Sequence, residues 1–267
     1  SLLNISAYRF GGGSEGNVGR HTLTVLKSTV PYVASQTNRR AAFGGRDPEN
    51  IESAMLRAPR VVRSHNRAVT ASDFETLALE ASAAVARARC IQPRFDLAGG
   101  PPPGSIHLMV IPAISSVEGM LLPEQLVLYP QLKEELDSFL YERRILTTQL
   151  VISEPDYVWV SIEATVRIAS LFDVNRVRRD IETECHRFIN PLTGGPDGTG
   201  WPFGRALAIA DVFSILQRVS GVEDTEECRI VPVDVTTEER GEATLRLVLN
   251  HREVLCSHVH RITVVQE

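Results

Sequence analysis

The chain has 267 residues, with 28 basic and 33 acidic side chains and a net charge of −5, so it carries no overall attraction to nucleic acid or an anionic membrane. Hydrophobic residues at 43% and charged residues at 23% are the proportions of a globular protein and exclude disordered, collagen-like and disulfide-scaffold classes. At about 150 residues per domain the length fits roughly two compact units. The longest apolar runs, such as 108–114, fall well short of the roughly 18 residues of a membrane helix. Cys90, Cys185, Cys228 and Cys256 form no C-x-x-C pair, and the expectation is reduced, buried thiols in a cytoplasmic setting. Ser1-Leu2-Leu3-Asn4-Ile5-Ser6 lacks a basic flank, a long apolar core and an initiator Met, which fits a processed or excised fragment better than a secretory signal.

In chain order, a glycine-rich loop from Gly11 to Gly19 precedes the alternating run His21-Thr22-Leu23-Thr24-Val25-Leu26, which predicts a strand. Residues 1–44 thus read as the end of a β-rich region. The turn Gly44-Gly45-Arg46-Asp47-Pro48 opens a short predicted helix over 49–58 that Pro59 stops. Thr70 as N-cap, Asp73 three residues on, and the apolar face of Phe74, Leu77, Ala78 and Ala81 predict the next helix. The period then switches, and 85–91 and 106–111 predict two strands joined through the glycine-proline loop 98–104. Leu126, Tyr129, Leu132, Leu136 and Leu140 predict a helix over 123–143, followed by a strand over 146–152.

Ser153-Glu154-Pro155-Asp156 breaks this unit and offers a pivot. Val158, Val160, Ile162, Ala164, Val166 and Ile168 alternate on one face of the next strand. Val174, Val177, Ile181, Cys185 and Phe188 predict a helix ended by Asn190-Pro191, and a second helix over 207–219 is stopped by Gly221. Strands are expected over 228–233, 243–249 and 260–265. The fold class is α+β: two small mixed helix-and-antiparallel-sheet domains, 45–153 and 154–267, preceded by the tail end of a β-rich segment.

Several constellations invite a chemical reading. Gly11-Gly12-Gly13-Ser14-Glu15-Gly16 satisfies G-x-G-x-x-G, but turn and strand rather than helix follow it, so it reads as a glycine loop and no nucleotide is expected. Cys256, His258 and His260 alternate along a predicted strand, with Val259 opposite; no fourth ligand at metal-site spacing accompanies them, and no metal or cofactor is expected. The acid pairs Glu134-Glu135 and Glu223-Asp224 with Glu226-Glu227 read as solvated faces and loops, and no H-E-x-x-H is present; Gly12-Gly13-Ser14-Glu15-Gly16 spells G-x-S-x-G, but turn and strand rather than the helix of a nucleophile elbow follow it. No catalytic residue is therefore assigned.

Residues 39–70 hold seven arginines against three acids, a local charge of +4. Arg57, Arg60, Arg63 and Arg67 either lie along a solvated helix face or contact acidic protein surfaces. Without interleaved aromatics they do not form a nucleic-acid platform. Finally, a long glycine loop ends in Trp201, Phe203 and Arg205. Its aromatics either pin the loop to its own domain or anchor a partner.

Five segments, in order, carry a resemblance. They are Tyr8-Arg9-Phe10-Gly11-Gly12-Gly13-Ser14-Glu15-Gly16-Asn17-Val18, Gly44-Gly45-Arg46-Asp47-Pro48-Glu49, Arg67-Ala68-Val69-Thr70-Ala71-Ser72-Asp73-Phe74-Glu75, Gly200-Trp201-Pro202-Phe203-Gly204-Arg205 and Leu255-Cys256-Ser257-His258-Val259-His260-Arg261-Ile262. Through them the chain resembles the baseplate J-like family, the wedge proteins of contractile phage tails and related injection systems. Members are usually longer at the N-terminus, and the Asn-Pro step before the Gly-Gly turn is Asn38-Arg39 here. The resemblance implies a non-enzymatic wedge subunit in a six-fold baseplate that relays its rearrangement to the sheath. Its implied partners are a related J-like subunit, other baseplate proteins, and hub and sheath components. Assembly in the cytoplasm, then residence in the particle, is the implied location. A hydrolytic enzyme and a stand-alone adaptor are the rival classes.

Overall fold

The computed structural model describes residues 13–28, 30–42, 45, 47–64, 66–92, 102–114 and 119–266. Within helix α1 (Ile51–Ser64) the side chains of Arg57, Arg60 and Arg63 lie outside the described set, as do Gly11, Gly12, Gly44 and Arg46. Pro59 falls inside α1 rather than ending it, although proline removes one helix hydrogen bond and crowds the preceding turn. Ile51, Met55 and Val62 on this helix are exposed.

Helix α2 (Ala71–Ala81) begins where local chemistry directs it. The Thr70 hydroxyl accepts from the Asp73 N–H at 3.3 Å, while the Asp73 carboxylate accepts from the Thr70 N–H at 2.8 Å. This reciprocal cap satisfies donors the first turn leaves free, and the helix buries Phe74, Leu77 and Ala78. Strand β1 (Val85–Ile91) pairs antiparallel with β2 (Ser105–Pro112), as the hairpin pattern requires. Strand β3 (Gln149–Ser153) joins the other edge of β2 in parallel, so the sheet is mixed rather than wholly antiparallel. A parallel pair needs a crossover connection, and α3 (Pro130–Tyr141) supplies it.

The helix expected over 123–143 is split. A 3-10 turn at Pro123–Gln125 comes first, and α3 restarts with Pro130 in its first turn. Pro130 has no N–H to continue an earlier helix, and it holds Tyr129 extended at φ −64°, ψ 141°. Leu132, Leu136 and Leu140 then pack with Phe74, Leu77, Leu108 and Ile152 in one buried cluster.

Strand β4 (Asp156–Ile168) is the spine of the second layer. It pairs antiparallel with β6 (Val222–Val233) on one side, and in parallel with β8 (Glu253–Ser257) and then β9 (Arg261–Gln266) on the other. This sheet too is mixed. The core face of β4 carries Val160, Ile162, Ala164, Val166 and Ile168, against which α4 (Val174–Phe188) sets Val177, Ile181 and Cys185. The Asp173 carboxylate caps α4 by accepting from the Arg176 N–H at 2.7 Å.

The remaining elements depart from their predicted limits. Leu207–Ala208 is a short strand, β5, paired with β7 (Arg246–Leu247), and α5 runs Ile209–Leu216. The Asp211 carboxylate accepts from the Ala208 N–H at 3.0 Å and so fixes where α5 starts. Glu223, Asp224, Glu226 and Glu227 lie on β6, not in a loop. Strand β7 is only two residues long. The run His21–Leu26 forms no strand: Leu23 and Val25 are exposed and no buried face gathers there. Alternation without a core to face does not make a sheet.

The layers are not independent. Ile111, Leu121 and Leu126 from the first layer belong to the buried cluster around β4 and α4. Only Glu154 and Pro155 separate β3 from β4. The Glu154 carboxylate accepts from the Leu128 N–H at 2.5 Å, and the Tyr157 hydroxyl donates to the Leu126 carbonyl at 3.3 Å. The predicted pivot is tethered on both sides.

Because Ile111 is wholly buried in the second cluster while its strand belongs to the first layer, Ile111→Ala is expected to cost about 2–5 kcal/mol and to lower one shared unfolding transition. Scanning calorimetry that resolves two transitions, with only one of them moved, contradicts this.

Candidate functional site

The glycine loop after α4 is built by backbone satisfaction. The Asn190 side-chain oxygen accepts from the N–H groups of Leu192 at 2.8 Å and Thr193 at 3.1 Å, and its carbonyl accepts from those of Gly194 and Trp201. A Cβ at Gly194 would lie 2.2 Å from the Phe188 carbonyl oxygen, so the close return of the chain needs glycine. Gly200 adopts φ +95°, and a Cβ there would lie 2.4 Å from both the Arg87 guanidinium and the Pro191 carbonyl oxygen.

Trp201, Phe203 and Arg205 are brought together by this loop, as their spacing suggests. Trp201 is 0% exposed, so it pins the loop to its own layer and presents no open anchor to a partner. Its indole N–H donates to the Arg205 carbonyl at 3.0 Å, and its ring meets Phe188 edge-on at 5.5 Å. Arg205 stacks over Trp201 at 5.7 Å and pairs with Asp211 at 3.2 Å. Phe203 is half-buried beneath the guanidinium of Arg87, 5.0 Å from its ring centre.

Arg87 is the functional candidate that sequence reasoning missed. It projects from β1 in the first layer and donates to the carbonyls of Pro191 and, at 2.9 Å, Trp201 in the second. Burial pulls its guanidinium below the usual range, yet arginine stays cationic in proteins. Its partners are carbonyl oxygens and a ring face, and the planar fork can serve several such acceptors at once. The signal in the sequence is faint: two arginines, Arg87 and Arg89, alternate inside the apolar run of β1. Arg89 instead pairs with Glu75, at 3.7 Å within its own layer.

His107 in the first layer also feels charges of the second. His107 on β2 is hydrogen-bonded to the Ser153 hydroxyl at 2.7 Å. Desolvation first, then the nearby Arg252 guanidinium, lowers its pKa. Arg252 in turn pairs with Asp156 at 3.5 Å.

The other expected constellations are placed as follows. Gly13–Gly16 forms a 3-10 turn, and residues 17–28 after it form no helix. Instead Asn17 pairs through its side-chain amide with both the N–H and the carbonyl of Gly45, at 2.8 and 2.9 Å. Cys256, His258 and His260 do not share a strand face: β8 ends at Ser257 and β9 begins at Arg261. Cys256 is wholly buried in the second cluster, its thiol pushed up by desolvation. Among the described residues no three His, Cys, Asp or Glu side chains gather as a metal site. Arg67 is exposed just ahead of the α2 cap.

Two substitutions test the loop. Trp201→Ala is expected to cost about 3–5 kcal/mol in urea unfolding. Gly200→Ala is expected to destabilise the fold as well, since it strains a positive φ and displaces Arg87. Unchanged midpoints for both would mean that the loop is not pinned.

No family model matches the chain, and no curated protein matches it by sequence. Among solved structures the fold is similar to a chain in the cryo-EM structure of the anti-feeding prophage baseplate, itself 6-fold symmetrised, with a TM-score of 0.53 and 16% identity. The similarity covers 88% of this chain and 47% of that one, so the chain spans about half the length of its structural neighbour.

Proposed function

We propose that the chain is a non-enzymatic structural subunit of the baseplate of a contractile tail or injection system. The observation that carries this reading is the superposition of 88% of the chain on a baseplate protein, supported by the five segments that resemble the J-like family in order. On this reading it holds a wedge position beside a related J-like subunit, in many copies around a six-fold axis. Other baseplate proteins, the hub and the sheath are its neighbours, and it assembles in the cytoplasm before becoming part of the particle. Residues 45–153 and 154–267 act as its two units, with 1–44 as the end of a preceding region.

The geometry suits load transmission. Arg87 and the shared apolar cluster tie the layers together, so a push on one moves the other as a single body, in place of the pivot expected from the Ser153 to Asp156 break. Partner contact falls to the basic segment 39–70, with Arg57, Arg60, Arg63 and Arg67, and to the neighbouring stretch where Leu23, Val25 and Tyr32 are exposed. Of Trp201, Phe203 and Arg205, only Phe203 and Arg205 are open enough to touch a neighbour.

The rival enzymatic reading finds no support in the groove beside α4. That groove, about 490 Å³, runs along the outer face of α4, where Arg187 pairs with Glu184 and Arg176 with Asp180. Such pairing neutralises the carboxylates rather than readying them as acid and base. No described helix is long and apolar enough to cross a membrane.

Deleting the gene in its host and imaging the particles tests the role: baseplates should be missing or unable to contract, and normal contractile particles would overturn it. The basic segment is tested separately. Arg57→Glu with Arg60→Glu should weaken co-purification with partner subunits, whereas tight, salt-dependent binding of the chain to duplex DNA would contradict a protein-contact role.

A further inference from the structure

Strands β8 and β9 are two halves of one parallel partner to β4, separated by a bulge. Ser257 pairs with Val160 and Arg261 with Glu163, so His258, Val259 and His260 stand opposite only Ser161 and Ile162. The extra residue interrupts the ladder, and side chains repair it. The Ser161 hydroxyl donates to the Val259 carbonyl at 2.6 Å, and the His258 N–H donates to the Val160 carbonyl at 2.8 Å. The Ile162 N–H then donates to Nδ1 of the His260 ring at 3.0 Å. An imidazole thus stands where a strand carbonyl belongs.

That single bond fixes the protonation of a chain of groups. Since the Ile162 N–H can only donate, Nδ1 of His260 accepts, and the proton of the neutral ring sits on Nε2. Nε2 donates to the Ser257 hydroxyl at 2.8 Å, and Ser257 donates onward to Nδ1 of His186 on α4 at 2.7 Å. The two rings lie 4.5 Å apart. Facing His260 are His186 from α4, His258 from the bulge itself, and Arg240 from the turn after β6, which donates to Ser161 and pairs with Glu163 at 3.4 Å. Three of these surroundings are cations or become so in acid, while of the nearby carboxylates Glu163 is shared between Arg240 and Arg261 and Glu238 faces His258.

We infer that the Ile162, His260, Ser257 and His186 chain is an acid-sensitive latch on β9, and that protonation of His260 releases this strand from β4. A second ring proton on Nδ1 sets N–H against the Ile162 N–H and adds a charge beside Arg240, while Nε2 goes on donating to Ser257. Among the described residues strand β9 joins the sheet through β4 alone, so losing the bulge frees its pairing from the N-terminal end. Desolvation, with His186, His258 and Arg240, pushes the His260 pKa down to about 3.

The sign follows from that depression. Above about pH 6.5 both the latched and the open strand hold a neutral ring. Between about pH 6.5 and 3 only the open strand takes the proton, so the latch weakens as pH falls, by about tenfold per pH unit for one proton.

Hydrogen exchange of the full chain between pH 7 and 4.5, corrected for intrinsic rates, tests this. Protection over 261–266 and at the Ile162 N–H should drop about tenfold per pH unit while β6, β8 and α2 keep theirs. His260→Gln, whose amide oxygen can accept from Ile162 but cannot take the proton, should flatten that slope by about one proton. A loss of protection shared by all elements, or a β9 signal indifferent to pH, overturns the latch. So does an unaltered slope in the variant, and if His260→Gln does not fold, the selectivity within the native chain decides alone.

Discussion

A buried guanidinium that meets carbonyl oxygens and an aromatic face is the contact on which this architecture turns. Arg87 comes from the edge of one small sheet and ends inside the glycine loop of the other layer, against Pro191, Trp201 and Phe203. Everything in that loop is arranged to receive it. Gly200 leaves the space, Asn190 turns the backbone so that its carbonyls point the right way, and Trp201 fills the core beneath. A lysine would offer one compact charge to the same acceptors and no flat surface to Phe203. Together with Ile111 and Leu126 in the second cluster, this contact makes two modest layers into one mechanical body.

The elements legible in the sequence are those whose cause is local. Thr70 and Asp73 announce α2 because the cap is made within four residues. The alternation of β4 survives because one face is buried along its whole length, and Asn190 marks the end of α4 because its side chain turns the chain there. What the sequence conceals is set by distant partners. The parallel pairing of β3 depends on a crossover, the bulge between β8 and β9 depends on the register of β4, and Arg87 matters only because a loop more than a hundred residues away closes over it. Pro59 and Pro130 mislead in opposite ways: one is tolerated inside a helix, and the other restarts a helix that apolar spacing alone would run through.

The segments that carry the family resemblance coincide with places where the fold leaves little choice. Asn17 and Gly45 bind each other, although they lie in separate segments. Thr70 and Asp73 form the cap, Gly200 and Trp201 form the receiving loop for Arg87, and Ser257 and His260 repair the bulge. Such residues are dictated by backbone geometry and buried hydrogen bonds.

On the proposed reading the two layers move as one body, and a distance measurement reaches that point most directly. Spin labels at the exposed positions Asp137 on α3 and Thr183 on α4 report the separation of the two layers by pulsed electron resonance. The account predicts a single narrow distance distribution in the native chain that broadens when Arg87 is replaced by Ala. A broad distribution in the native chain, or one that Arg87→Ala leaves narrow, would contradict it.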